Sequence, residues 1–193
     1  MLPPFPFRLP PPVWIQIAET LSTLDWLYAQ DPHQAEFRNF ARERLRPLAA
    51  RLGWEPQPHE EANLDLLRHV VLQSLAQYGE EVVTAEARSR FDAALLHPET
   101  LSPATRLIVL AIVIHQADAH VVDRVLAQVK ATKDPLEKQN LLGLLIQVED
   151  AVSAERVLNF AIGPEGVAGS APEMFWSLSY RIPTWRGTVR CNT

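Results

Sequence analysis

His59 and Glu60, in the stretch RLGWEPQPHEEANLDLLRH from Arg51 to His69, open a pattern close to H-E-x-x-H. When complete, that motif sets two imidazoles one helical turn apart on a single zinc ion, and the glutamate activates bound water. The fifth position here is Asn63, and Pro58 directly precedes His59. A proline at that point places residues 59–61 at the start of a helix, not within one. The acids there are expected to sit against the positive end of the helix dipole. No zinc ligand is assigned to His59 or Glu60.

Other reactive residues are scattered. His115 and His120 stand five apart with Asp118 between them, across a predicted helix break, and metal binding is not expected there. His33, His69 and His97 are isolated and read as surface or boundary residues. Cys191, the single cysteine, lies in a polar tail with no base nearby, so neither a disulfide framework nor a cysteine zinc site forms within one chain. GPEGVAG, Gly163 to Gly169, lacks the lysine and preceding strand of a phosphate loop and is read as a flexible connector. No G-x-S-x-G elbow or dinucleotide fingerprint is present. No catalytic and no metal-ligating residue is assigned.

Arg38, Arg42 and Arg46 fall at i, i+4 and i+8, with Arg44 and Arg51 nearby. Such a row can bind phosphates or a carboxylate. The interleaved Glu36 and Glu43 favour a solvated, salt-bridged face instead. Trp14, Trp26, Trp54, Phe91 and Trp176 occur at helix-packing positions and are expected in the core.

Composition bounds what these residues can belong to. The chain has 193 residues, 47% hydrophobic and 21% charged, with formal net charge −5. That length suits one sizeable core or a short array of stacked helices. The acidic balance gives no global reason to expect nucleic acid or an anionic membrane as partner. The longest apolar run, Leu107 to Ile114, is far short of the roughly 20 residues that span a bilayer. Prolines at 3, 4, 6, 10, 11 and 12 interrupt any signal-peptide apolar region. They predict an extended lead-in over residues 1–12. A cytoplasmic location fits.

Almost every later segment carries helical periodicity. Asp31-Pro32, Ser102-Pro103 and Asp134-Pro135 each pair a capping side chain with a proline for the first turn. Gly53, Gly79 and Gly163 mark stops. The signals predict helices near 13–29, 32–52, 61–78, 80–96, 103–116, 119–131, 135–147 and 151–162. Pro47 falls inside the second and predicts a kink near Glu43 to Pro47. In the third, Leu64, Leu67, Val71, Leu75 and Tyr78 form one stripe, and Leu66 and Val70 are expected to widen it toward a second neighbour. The fold class read from this is all-α: about eight helices in antiparallel pairs, an irregular α-solenoid over residues 13–163. Residues 164–193 form a glycine-containing connector and a less periodic end.

The order Leu45-Arg46-Pro47, Leu52-Gly53-Trp54, Glu60-Glu61, Leu66-Leu67-Arg68, Ala87 to Phe91 and Pro103 to Arg106, followed by Asp134 to Asn140 and a leucine-rich helix, resembles a known family. The resemblance is to the C-terminal helical domain of the zinc aminopeptidases: aminopeptidase N, puromycin-sensitive aminopeptidase and the endoplasmic reticulum aminopeptidases. It runs from about Val13 to Ala161. It implies HEAT- or armadillo-like helix pairs that enclose a peptide chamber and gate substrate, while a separate catalytic domain removes N-terminal residues. The family's zinc then belongs to that catalytic domain, with no cofactor in this chain.

The partners implied are that catalytic domain and the peptide substrate. Arg68 and Arg106 are the candidates for contacting peptide; the alternative is that each ties adjacent helices together. Helix faces left uncapped at the ends of a partial solenoid would promote self-association. The competing reading of the whole chain is a stand-alone helical-repeat scaffold that binds a protein or peptide.

Overall fold

A computed structural model describes residues 9–163, apart from Gln30, Gln116, Asp118 and Glu149. Most of the proline-rich lead-in, the stretch beyond Gly163, Trp176 and Cys191 therefore lie outside the described residues. The described residues form eight α-helices and no strand: α1 (Pro11–Leu27), α2 (Gln34–Leu52), α3 (Ala62–Gln77), α4 (Glu81–Leu96), α5 (Pro103–His115), α6 (Ala119–Ala131), α7 (Pro135–Leu145) and α8 (Ala151–Ile162). A single 3-10 turn, Pro98–Thr100, lies between α4 and α5. The all-α reading of the sequence holds. The chain divides into two compact units, 1–112 and 113–193.

Helix ends follow local chemistry. α1 begins at Pro11, two residues before its predicted start. Pro11 and Pro12 occupy first-turn positions whose N–H groups would have no partner, while Val13 N donates to Pro10 O at 3.0 Å. α2 begins later than predicted, because Asp31 Oδ1 accepts from His33 N at 2.8 Å and closes a turn ahead of the helix. Ser102 caps α5 as expected, its hydroxyl accepting from Thr105 N at 3.2 Å. Asp150 caps α8, accepting from Ser153 N at 2.8 Å. These bonds hold the Asp150 carboxyl below its ordinary value. Pro47 sits inside α2 without ending it, so the carbonyl of Glu43 receives no bond from position 47.

α3 ends in a full Schellman motif. Glu80 N donates to Leu75 O at 2.9 Å and Gly79 N to Ala76 O at 3.0 Å, with Gly79 left-handed at φ +80. Glycine is the residue that takes that conformation without penalty.

In the first unit, Trp14, Ala18 and Leu21 of α1 and Ala41, Leu45, Leu48 and Leu52 of α2 are buried at helical spacing. α1 packs against both α3 and α2. α3 is the most enclosed of the three: Leu67, Val71, Leu75 and Tyr78 are buried, and the stripe widens through Leu72 and Ala76. The sequence had pointed to the other flank, yet Leu66 is 53% exposed. Trp26 was also expected in the core and is 71% exposed; it lies about a quarter turn past the buried Trp14-Ala18-Leu21-Asp25 stripe. Trp14 and Phe91 are buried as predicted, and Trp54 is half-buried.

In the second unit, α6 packs against α7 and α8. Val122, Val125, Leu126 and Val129 of α6 are buried, as are Ala154, Val157 and Ala161 of α8. Small side chains let two helix backbones approach closely.

Candidate functional site

The segment between α2 and α3 carries the motifs that raised the question of chemistry, and two arginines hold it. Arg68 on α3 is 1% exposed. Its Nε and Nη2 donate to Leu52 O at 3.3 and 3.4 Å, supplying a partner to the last residue of α2. Its Nη2 also reaches Glu60 Oε2 at 2.5 Å, and its Nη1 reaches Asp65 Oδ1 at 2.6 Å. Glu60 in turn accepts from Gln57 N at 3.1 Å. One guanidinium therefore joins a helix end, a loop carboxylate and its own helix.

The second arginine is Arg90 on α4. Its Nη1 donates to Glu55 Oε1 at 2.8 Å, and its guanidinium lies 5.1 Å from the ring centroid of Trp54. The Thr105 hydroxyl donates to Glu55 Oε2 at 2.6 Å and approaches Trp54 O at 3.2 Å. Ser102 Oγ lies 3.3 Å from the same carboxylate oxygen. The Leu52-Gly53-Trp54 turn is thus pinned to α3, α4 and α5.

This arrangement does not fit zinc. His59 is exposed in a turn with φ +64, and the Glu60 carboxylate is already committed to Arg68 and Gln57 N. No group of three or more His, Cys, Asp or Glu among the described residues converges to hold a metal ion. Glu60 Oε2 accepts from both Arg68 and Gln57 N, so the guanidinium balances its charge and the backbone donor fixes its position.

The arginine row on α2 is salt-bridged, as expected, but with partners on other elements of the first unit. Arg38 forms a two-pronged pair with Asp25, at 2.7 and 2.9 Å, and Asp25 is 2% exposed on α1. Arg42 Nη1 donates to the carbonyls of Tyr78 and Gly79 at 3.0 and 3.2 Å, and so completes the end of α3. Arg46 pairs with Glu80, immediately before α4. Each arginine at i, i+4 and i+8 reaches a different neighbouring helix end or helix, and none of these bonds goes to Glu36 or Glu43. Sequence spacing placed them on one face; it carried no sign of the partners.

Of the two residues suggested to contact peptide, Arg68 has its fork consumed inside the first unit. Arg106 is half-buried in the first turn of α5, its backbone N donating to Ser102 O at 2.9 Å. The two belong to the same unit but to different helices, α3 and α5. His33 and His97 are exposed beside Glu36 and Glu99, while His69 is half-buried and bonds Gln73 Oε1 at 3.2 Å. His115 is half-buried and His120 exposed; Asp118 lies outside the described residues.

In the second unit an open groove of about 570 Å³ lies between α6 and α8. Asp123, Leu126, Ala127 and Lys130 line one wall and Arg156, Asn159, Phe160 and Gly163 the other. Each wall repeats at i, i+3, i+4 and i+7, so both helices present a regular face. Arg156 crosses to Asp123 at 2.6 Å, and the Lys130 ammonium lies 5.7 Å from the Phe160 ring centroid. Nothing in the sequence pattern pointed to this groove, because its residues read as ordinary exposed helix positions. No described helix is long and apolar enough to cross a membrane.

Comparison with known proteins brings these features together. A sequence profile of the ERAP1-like C-terminal domain matches residues 11–180. The chain is 28% identical over 176 residues to aminopeptidase M1-A of Oryza sativa subsp. japonica, covering 80% of this chain and 20% of that protein. It is 31% identical over 126 residues to aminopeptidase M1-D of the same plant, covering 63% of this chain and 14% of that protein. The chain thus spans a fifth or less of the length of these relatives.

Proposed function

This chain belongs to the ERAP1-like C-terminal domain family, and on that premise we propose that it is a non-catalytic wall of an aminopeptidase. In this reading it is part of an α-solenoid that packs beside a zinc peptidase domain, encloses the peptide chamber and limits which peptides enter. Removal of N-terminal residues takes place in the peptidase domain, which holds the zinc. The observation that carries the reading is the match over residues 11–180, most of the chain, to a domain of aminopeptidases. The clamped, charge-neutralised segment between α2 and α3 supports it, because a chamber wall needs fixed shape more than reactive groups. Arg68 serves here as the tie that sets the angle between α2 and α3. A peptide-contacting role stays with Arg106, at the start of α5.

The test is enzymatic. The isolated chain, supplied with zinc, is expected to release no product from aminoacyl fluorogenic substrates. In an aminopeptidase of this family, deletion of the segment matching residues 11–163 is expected to change kcat/KM for long peptides while leaving dipeptide substrates within about threefold. Zinc-dependent turnover by the isolated chain, or unchanged length selectivity after the deletion, would overturn the reading.

A further inference from the structure

We draw no further inference here: the strongest candidate, the open groove between α6 and α8 walled by Asp123, Lys130, Arg156 and Phe160, carries nothing, because Arg156 and Asp123 already pair across it and nothing in the structure shows what covers it.

Discussion

Arg68 closes on the carbonyl of Leu52, with Nε at 3.3 Å and Nη2 at 3.4 Å, so a side chain of α3 finishes the backbone of α2. The same guanidinium neutralises Glu60, whose side chain is 12% exposed. Truncating one member of a buried pair leaves the other charge uncompensated. Arg68→Ala is therefore expected to cost about 3 kcal/mol, near the value for breaking a buried ion pair. Arg68→Lys keeps the charge but loses the planar fork that spans three partners, and is expected to recover less than half of the loss. Urea unfolding of the three proteins checks both statements. A loss below about 1 kcal/mol for Arg68→Ala would show that Leu52 and Glu60 find water instead.

The Asp25–Arg38 pair makes an opposite test. Asp25 sits at i+11 of a stripe that begins at Trp14, a position where the period calls for an apolar residue. Arg38 is one-third exposed, and its fork is the main compensation for the buried carboxylate, with Gln34 Nε2 adding a bond at 3.1 Å. Arg38→Met is expected to destabilise by about 2–4 kcal/mol, because it strands the carboxylate. The double variant Asp25→Leu/Arg38→Met is expected to lie within about 1 kcal/mol of wild type, since an apolar pair replaces the ionic one. A double-mutant cycle measured by denaturant unfolding reads the coupling directly.

Two glycines predict changes of opposite sign. Gly79 is left-handed at φ +80 in the Schellman motif, and a Cβ there would meet only Arg42 Nη1, at 3.6 Å. Space is adequate, so backbone strain alone sets the cost of Gly79→Ala, about 1 kcal/mol. Gly143 is exposed inside α7, with nothing within 4 Å of an added Cβ. Gly143→Ala is expected to stabilise by roughly 0.5–1 kcal/mol, through helix propensity and a less flexible unfolded chain. A lower Tm for the first variant and a higher one for the second are the expected outcomes.

The number and order of the helices were legible because period, proline starts and glycine stops are local signals. What was not legible depends on neighbours. The third helix announced its buried stripe, but the fully buried flank proved to be Leu72 and Ala76, while Leu66 is exposed and Val70 half-buried. Either flank satisfies a 3.6-residue period, and only the placement of α1 and α2 decides between them. Trp26 has the composition of a core residue but sits on α1 outside the buried stripe. Arg68 stood out within Leu66-Leu67-Arg68, yet its partners lie 16 and 8 residues earlier, across a loop whose path no periodicity describes. Asp25 carried a signal that the sequence reading passed over: a charge within an apolar stripe requires a cation, and Arg38 is one helix away. The α6–α8 groove left no trace, since Asp123, Lys130, Arg156 and Asn159 are what any solvated helix face contains.

His69 gives the chain a pH dependence of definite sign. Burial pushes its imidazole below the ordinary value of 6.5, and the bond to Gln73 opposes this only in part. The folded state therefore holds the proton less tightly than the unfolded state. As pH falls through 6.5 toward the lowered folded value, the unfolded chain takes up a proton that the folded chain resists, and stability decreases. Above 6.5 both states carry neutral His69 and the contribution is constant. His69→Gln removes the titration and keeps a side chain able to bond Gln73. The difference in unfolding free energy between wild type and His69→Gln is expected to be flat from pH 8 to about 7 and to shift against the wild type between roughly pH 6.5 and 5. Parallel curves across that range would mean that His69 titrates alike in both states, and that its burial imposes no net preference for the neutral ring.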